Sequence, residues 1–111
     1  MHPGAHPRYP DRDRAVLVGR AALCLGPLQM YLGILAGALQ RDALAERHFD
    51  AANEWCDLTG ARAWSAWTLV HRAEARAARG EPDEPLARDA AAAAEAIGFG
   101  RAAARARALI R

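Results

Sequence analysis

Lysine is absent from this chain, so all 15 of its Lys-or-Arg residues are arginine. A phosphate-binding loop of the Gly-x-x-x-x-Gly-Lys-Ser/Thr kind needs that lysine, and its chemistry is excluded. Aromatic residues make up only 6% of the sequence and β-branched residues are rare, which disfavours strands and leaves few bulky core formers. Much of the 52% hydrophobic content is alanine, the strongest helix former and a side chain that lets helices approach closely. An all-α class follows. The two cysteines, Cys24 and Cys56, fit neither a disulfide framework nor a metal-knuckle spacing, and read as reduced, buried, small apolar residues. No excess of one charge is present. With 15 basic and 13 acidic residues the formal net charge is +2, which does not suggest a general polyanion binder. At 111 residues a single compact domain is expected and a two-domain enzyme is excluded. Residues 1–14, with Pro3, Pro7, Pro10 and four charges from Asp11 to Arg14, lack the apolar core of a signal peptide, so the cytoplasm is the expected compartment.

Residues 1–14 read as a mobile arm, and 15–111 as a single helical domain. His2 and His6 have no further ligands at useful spacing, so no metal site is expected there. Within the apolar stretch from Ala15 to Leu39, the spacing of Leu28, Tyr31, Leu32, Leu35 and Leu39 predicts one face of a helix from about Pro27 to Gln40. A second helix, from Asp42 to Thr59, is amphipathic: Ala45, Phe49, Ala52 and Cys56 on one side, His48 and Trp55 at its margin, and the ridge Asp42, Glu46, Asp50 and Glu54 on the other. Asp42 is expected to cap its start and Gly60 to follow its end. A third helix is expected from about Arg62 to Arg79, with Arg72, Arg76 and Arg79 on one side and Ala66, Val70, Ala73 and Ala77 opposite. Pro85 to Ile97 reads as a fourth, closed by Gly98, and a last helix from Arg101 is expected to reach the chain end.

Short turns between helices call for a search for internal periods. Gly60 and Gly98 close the second and fourth helices 38 residues apart, which sets Ala52 over Ala90, and Ala45 and Phe49 over the weaker matches Asp83 and Ala87. A two-residue insertion in the Gly80 to Glu84 loop sets Gly33 over Ala73. Leu32-Gly33 followed by Ala45, Phe49 and Ala52 resembles the tetratricopeptide signature, in which small residues occupy the crossing of a helix pair and an aromatic ring fills the gap. Asp57 stands where that consensus has proline, and Gln29 where it has tryptophan. A narrower resemblance, from Tyr9 to about Gly98, rests on Cys24-Leu25-Gly26-Pro27, Tyr31-Leu32-Gly33, Ala45-Glu46-Arg47-His48-Phe49, Thr59-Gly60-Ala61-Arg62-Ala63-Trp64 and Ala78-Arg79-Gly80. It is similar to the C-terminal repeat region of actinobacterial regulators that couple a signal-transducing ATPase to a LuxR-type DNA-binding domain or a nucleotide cyclase. The resemblance implies antiparallel helix pairs in a right-handed superhelical stack, a protein or peptide partner, and a chain that is a fragment or remnant of such a regulator. ATPase, cyclase and DNA-binding activities are not carried over.

The resemblance also places Met30, Ile34, Trp67, Val70 and Glu74 on a concave binding groove, the first four as an apolar floor and Glu74 as an anchor for a cationic group. The alternative is that these residues pack against the chain's own last helix. The acidic ridge reads as a solvated face, not a metal or acid-base site, and His71 near Glu74 has no nucleophile placed beside it, so neither an enzyme nor a cofactor is expected. Two further classes compete. Residues 21–39 are long enough to span a bilayer, with Gly33-x-x-x-Gly37 as a packing motif, but Pro27 and Gln29 sit centrally and the following helices are water-soluble amphipaths. Arg101, Arg105, Arg107 and Arg111 could bind nucleic acid weakly, yet arginine at a helix C-terminus is explained by the macrodipole. Val16, Leu17, Val18, Leu23 and Leu25 form an apolar N-terminal edge expected to be covered by a second copy or an upstream partner.

Overall fold

Alanine-rich sequence closed at intervals by glycine folds into helices throughout the part of the chain that the computed structural model describes, residues 27–111. The arm, the N-terminal apolar edge, Cys24 and the two N-terminal histidines lie outside the described residues. α1 covers 27–38 of these, followed by α2 (Asp42–Thr59), α3 (Arg62–Ala78), α4 (Glu84–Ala96) and α5 (Gly100–Arg107). No strand occurs among the described residues. The connections are short, so each helix turns back beside its predecessor.

Four of the helices end in one motif. After α2, α3 and α4 a glycine takes the left-handed conformation, at φ 70° for Gly60, 84° for Gly80 and 76° for Gly98. The residue after each glycine donates its N–H to a carbonyl five positions back, as in Ala61 to Cys56, Glu81 to Arg76 and Phe99 to Ala94. α1 closes the same way with no glycine: Gln40 stands at φ 61° while Arg41 N–H reaches the Ala36 carbonyl at 2.8 Å. Gln40 therefore terminates α1 and does not continue it. At the starts, Asp42 is not a cap but the first helical residue, with Arg41 in the N-cap position and no side-chain cap. Its charge still suits the helix N-terminus. α4 has a true side-chain cap in Asp83, whose Oδ1 accepts from Leu86 N–H at 3.0 Å. α5 stops at Arg107, short of the chain end.

Two cores result. The first joins α1 to α2 through Met30, Ala36, Ala45, Phe49 and Ala52, all buried. The second joins α3, α4 and α5 through Ala66, Val70, Ala90, Ala91, Ala94, Ala102, Ala103 and Ala106. Trp67 packs against both. Of the aligned positions, Gly33 and Ala73, Phe49 and Ala87, and Ala52 and Ala90 are buried, whereas Ala45 is buried and its counterpart Asp83 is the half-buried N-cap of α4. Gly33 and Phe49 set the first core. A Cβ at Gly33 would lie 2.8 Å from Phe49 Cε1 and 2.9 Å from Cδ1, closer than side-chain carbons approach. A Cβ at Gly37 would meet only Ala75 Cβ, at an ordinary 3.6 Å, so the two glycines of the supposed membrane motif do different things. His48 Nδ1 and Gln29 Oε1, 2.7 Å apart, tie the same two helices with the Nδ1-protonated tautomer as donor.

The inner face of α1 differs from the one the leucine spacing predicts. Leu28, Tyr31, Leu35 and Leu39 are 48–63% exposed, while Met30, Gly33 and Ala36 face the core. The reason is steric: α2 brings the Phe49 ring to the helix crossing, and only the small-residue side of α1 admits it. No helix among the described residues is long and apolar enough to cross a membrane.

Phe49→Ala is expected to cost about 3–5 kcal/mol by emptying the crossing, and Gly33→Ala about 1–3 kcal/mol by overfilling it. Chemical denaturation of Gly33→Ala with Phe49→Leu should give a loss smaller than the losses of Gly33→Ala alone and Phe49→Leu alone combined. Strict additivity would show that the ring and the glycine do not share this space.

Candidate binding surface

Charge is the first guide to what the surface can do. The acidic ridge of α2 is not uniformly solvated. Glu46 is drawn to α3, where its carboxylate accepts from Arg72 Nη2 at 2.7 Å, Arg76 Nη2 at 2.6 Å and Arg79 Nη1 at 3.3 Å. Arg72 also reaches Asp50 at 2.7 Å, and Arg76 reaches the α4 cap Asp83 at 2.5 Å. Periodicity placed the three arginines on one side of α3 and the carboxylates on one side of α2, and gave no sign that those sides meet. Burial pushes the Glu46 carboxyl up, but hydrogen bonds and charge from Arg76 and Arg72 prevail and hold it at about 2. The same contacts raise the Arg76 guanidinium. A carboxylate locked in its ionised form by three arginines cannot exchange protons near neutrality. The cluster reads as a structural junction of α2, α3 and the start of α4.

Two adjoining hollows lie between α1 and α3, the larger of them reaching Arg79 of the Glu46 cluster. A groove of about 490 Å³ is lined by Met30 and Tyr31 of α1, Ala63, Trp64, Trp67 and His71 of α3, Phe99 and Arg105. A larger hollow of about 790 Å³ adjoins it at His71 and takes in Ile34, Gly37 and Ala38 of α1 with Glu74, Ala75 and Ala78 of α3. Among the described residues α2 contributes only Asp42 to either, and α4 nothing. Ile34 and Glu74 line the larger hollow, and Trp67 lines the groove together with Met30, which is itself only 2% exposed and belongs to the α1–α2 core. Val70 lines neither: it is fully buried between α3, α4 and α5, because it falls on the alanine face that those helices close over. Leu32, placed in the repeat signature, is half-buried beside Gly33.

At the middle of this surface stands a small polar constellation. Trp67 and His71, one helical turn apart, stack with ring centres 5.7 Å apart at 26°. His71 Nδ1 is 3.4 Å from Glu74 Oε1. Burial lowers the His71 pKa below its ordinary value; Glu74 opposes that shift and Arg105 adds to it. Glu74, expected to be open for a partner's cation, already holds one. Arg105 of α5 donates to it through both Nε at 3.0 Å and Nη2 at 2.6 Å, and its guanidinium carbon lies 5.4 Å from the Trp67 ring centre. The C-terminal arginines therefore do more than complement the helix dipole, since Arg107 also pairs with Glu95 of α4. Sequence spacing could not join Glu74 to Arg105, 31 positions away. No group of His, Cys, Asp and Glu suited to a metal ion occurs among the described residues, where Cys56 is buried and its thiol pushed up, chiefly by burial. No protein-family model matches the chain, and neither a curated protein nor a solved structure matches it.

Glu46 has a folded pKa below its unfolded one, so its stabilisation is complete above the ordinary value of 4.5 and is lost as pH falls through about 2. That difference caps the effect at about 3 kcal/mol. Stability measured by denaturation from pH 5 to 2 should fall more steeply in the wild type than in Glu46→Gln, which should also be less stable at neutral pH by about 2 kcal/mol. Parallel curves for the two proteins would remove Glu46 from the acid response.

Proposed function

We propose that the chain is a non-catalytic protein–protein interaction module of tetratricopeptide type. In this reading it is a fragment or remnant of a signal-transducing transcriptional regulator, works in the cytoplasm, and holds a peptide segment of its partner across α1, α3 and α5. One observation carries the proposal: both hollows are lined almost wholly by α1, α3 and the α5 side, the first helices of successive pairs, which in such arrays form the concave face. The Gly33–Phe49 crossing supports it, being the small-against-aromatic contact that the repeat signature requires. A surface rich in Trp, Tyr and Met, with few charges, also has the composition of a binding hot spot.

Peptides selected from a random display library against the wild-type chain test this. Their affinity should drop about tenfold or more in Trp64→Ala and Tyr31→Ala, whose side chains line the groove, and stay unchanged in Leu58→Ala, an exposed residue of α2 outside it. Binders indifferent to Trp64 and Tyr31 would refute the groove as the binding face.

A second reading concerns self-association, and a specific feature favours it. The exposed stripe Leu28, Tyr31, Leu35 and Leu39 lies in a stretch, residues 27–40, that contains no charged residue. Such a face suits a two-fold contact between copies of the chain. Sedimentation equilibrium should then show a concentration-dependent dimer that Leu35→Glu abolishes; a monomer at all concentrations up to high micromolar contradicts it.

A further inference from the structure

The contact between Arg105 and α3 has the form of a ligand in a site. A guanidinium is recognised by a carboxylate that accepts two of its N–H groups in parallel and by an aromatic face over which its plane can lie. Glu74 and Trp67 supply both, with two hydrogen bonds of 2.6 and 3.0 Å and a ring centre 5.4 Å away. His71 stacks on Trp67 and is partly buried, which disfavours its charged form beside the guanidinium.

The occupant is weakly committed to its place. The Arg105 side chain is 42% exposed, and ion pairs that wet contribute little to stability. α5 does not rely on it, because Ala102, Ala103 and Ala106 are buried in the core with α3 and α4. Beyond the guanidinium the groove continues over the exposed Tyr31, Trp64 and Phe99, an apolar floor that Arg105 does not fill.

We propose that Trp67 and Glu74 form an arginine-binding site which Arg105 occupies in cis, and that an arginine of a partner peptide with apolar flanking residues displaces it. This rests on the groove reading above and names the chemistry of its ligand. Arg105 thereby sets a threshold: a partner must bring both an arginine to replace it and apolar side chains to fill the adjoining floor. A peptide with only one of these gains too little to displace an intramolecular competitor held at high effective concentration.

The test compares a fluorescein-labelled Leu-Leu-Arg-Leu-Leu amide with its citrulline counterpart, equal in shape but uncharged. Arg105→Ala should tighten binding of the arginine peptide about five- to tenfold over the wild type, by removing the competitor. The citrulline peptide should gain little, and adding Glu74→Gln to Arg105→Ala should abolish the gain. Circular dichroism checks that the variants keep their helices, and Arg105→Gln carries the same comparison if Arg105→Ala does not. An unchanged affinity in the Arg105 variants, or an equal gain for both peptides, overturns arginine recognition while leaving an apolar groove in place. Binding of neither peptide to any variant overturns this site, and the groove reading then stands or falls separately on the Trp64 and Tyr31 variants.

Discussion

The distance between α1 and α2 is set where the Phe49 ring lies against the bare backbone of Gly33. That contact decides which way α1 faces. With its small side turned to α2, Met30, Gly33 and Ala36 enter the core and the larger leucines of the same helix are left outside. The orientation also brings Met30 and Ile34 to the edge where Trp67 of α3 packs, and so the groove exists because of a contact made on another side of α1. The α3–α4–α5 layer follows the same steric rule with alanine alone. Its helices need no large wedge: besides alanine, the buried side chains of its apolar cluster are limited to Val70.

Arginine holds these layers in register through two unlike clusters. At Glu46 three guanidiniums converge on one carboxylate that is about one-fifth exposed, with Arg76 passing the connection on to the α4 cap Asp83. Burial raises the cost of separating such charges, so this junction constrains the fold. At Glu74 a single guanidinium lies in a more exposed setting, where little is lost by letting go. A chain with arginine in place of lysine suits both, because the planar fork makes parallel hydrogen bonds and lies on aromatic rings, which an ammonium does less well. Similar chemistry thus yields a fixed joint in one place and an exchangeable contact in the other.

Helix content and most boundaries were readable from the chain alone. The bounds of α2 match the amphipathic segment from Asp42 to Thr59, and Gly60, Gly80 and Gly98 mark helix ends because a left-handed residue suits glycine best. Gln40 carried no such mark: its left-handed turn is imposed by the chain's need to reverse into α2. The buried side of α2 was equally legible, with Ala45, Phe49, Ala52 and Cys56 at helical spacing and all buried. Of the groove residues that the resemblance implied, Ile34 and Glu74 line one hollow, Trp67 and the buried Met30 line the other, and Val70 went inside, while Trp64, Phe99 and Arg105 were not anticipated there.

What the sequence determined by itself is the set of helices, since propensity, capping and apolar periodicity act within a few residues of each position. Tertiary structure decided which face of each helix is inside and which charges meet. Two faces of α1 are apolar, and only the size of the space beside Phe49 selects between them. Glu46 with Arg72, Arg76 and Arg79, and Glu74 with Arg105, are separated by 26 to 33 positions, and no local pattern encodes such pairs. They form because close alanine packing brings whole helix faces together, and complementary side chains on those faces then find each other.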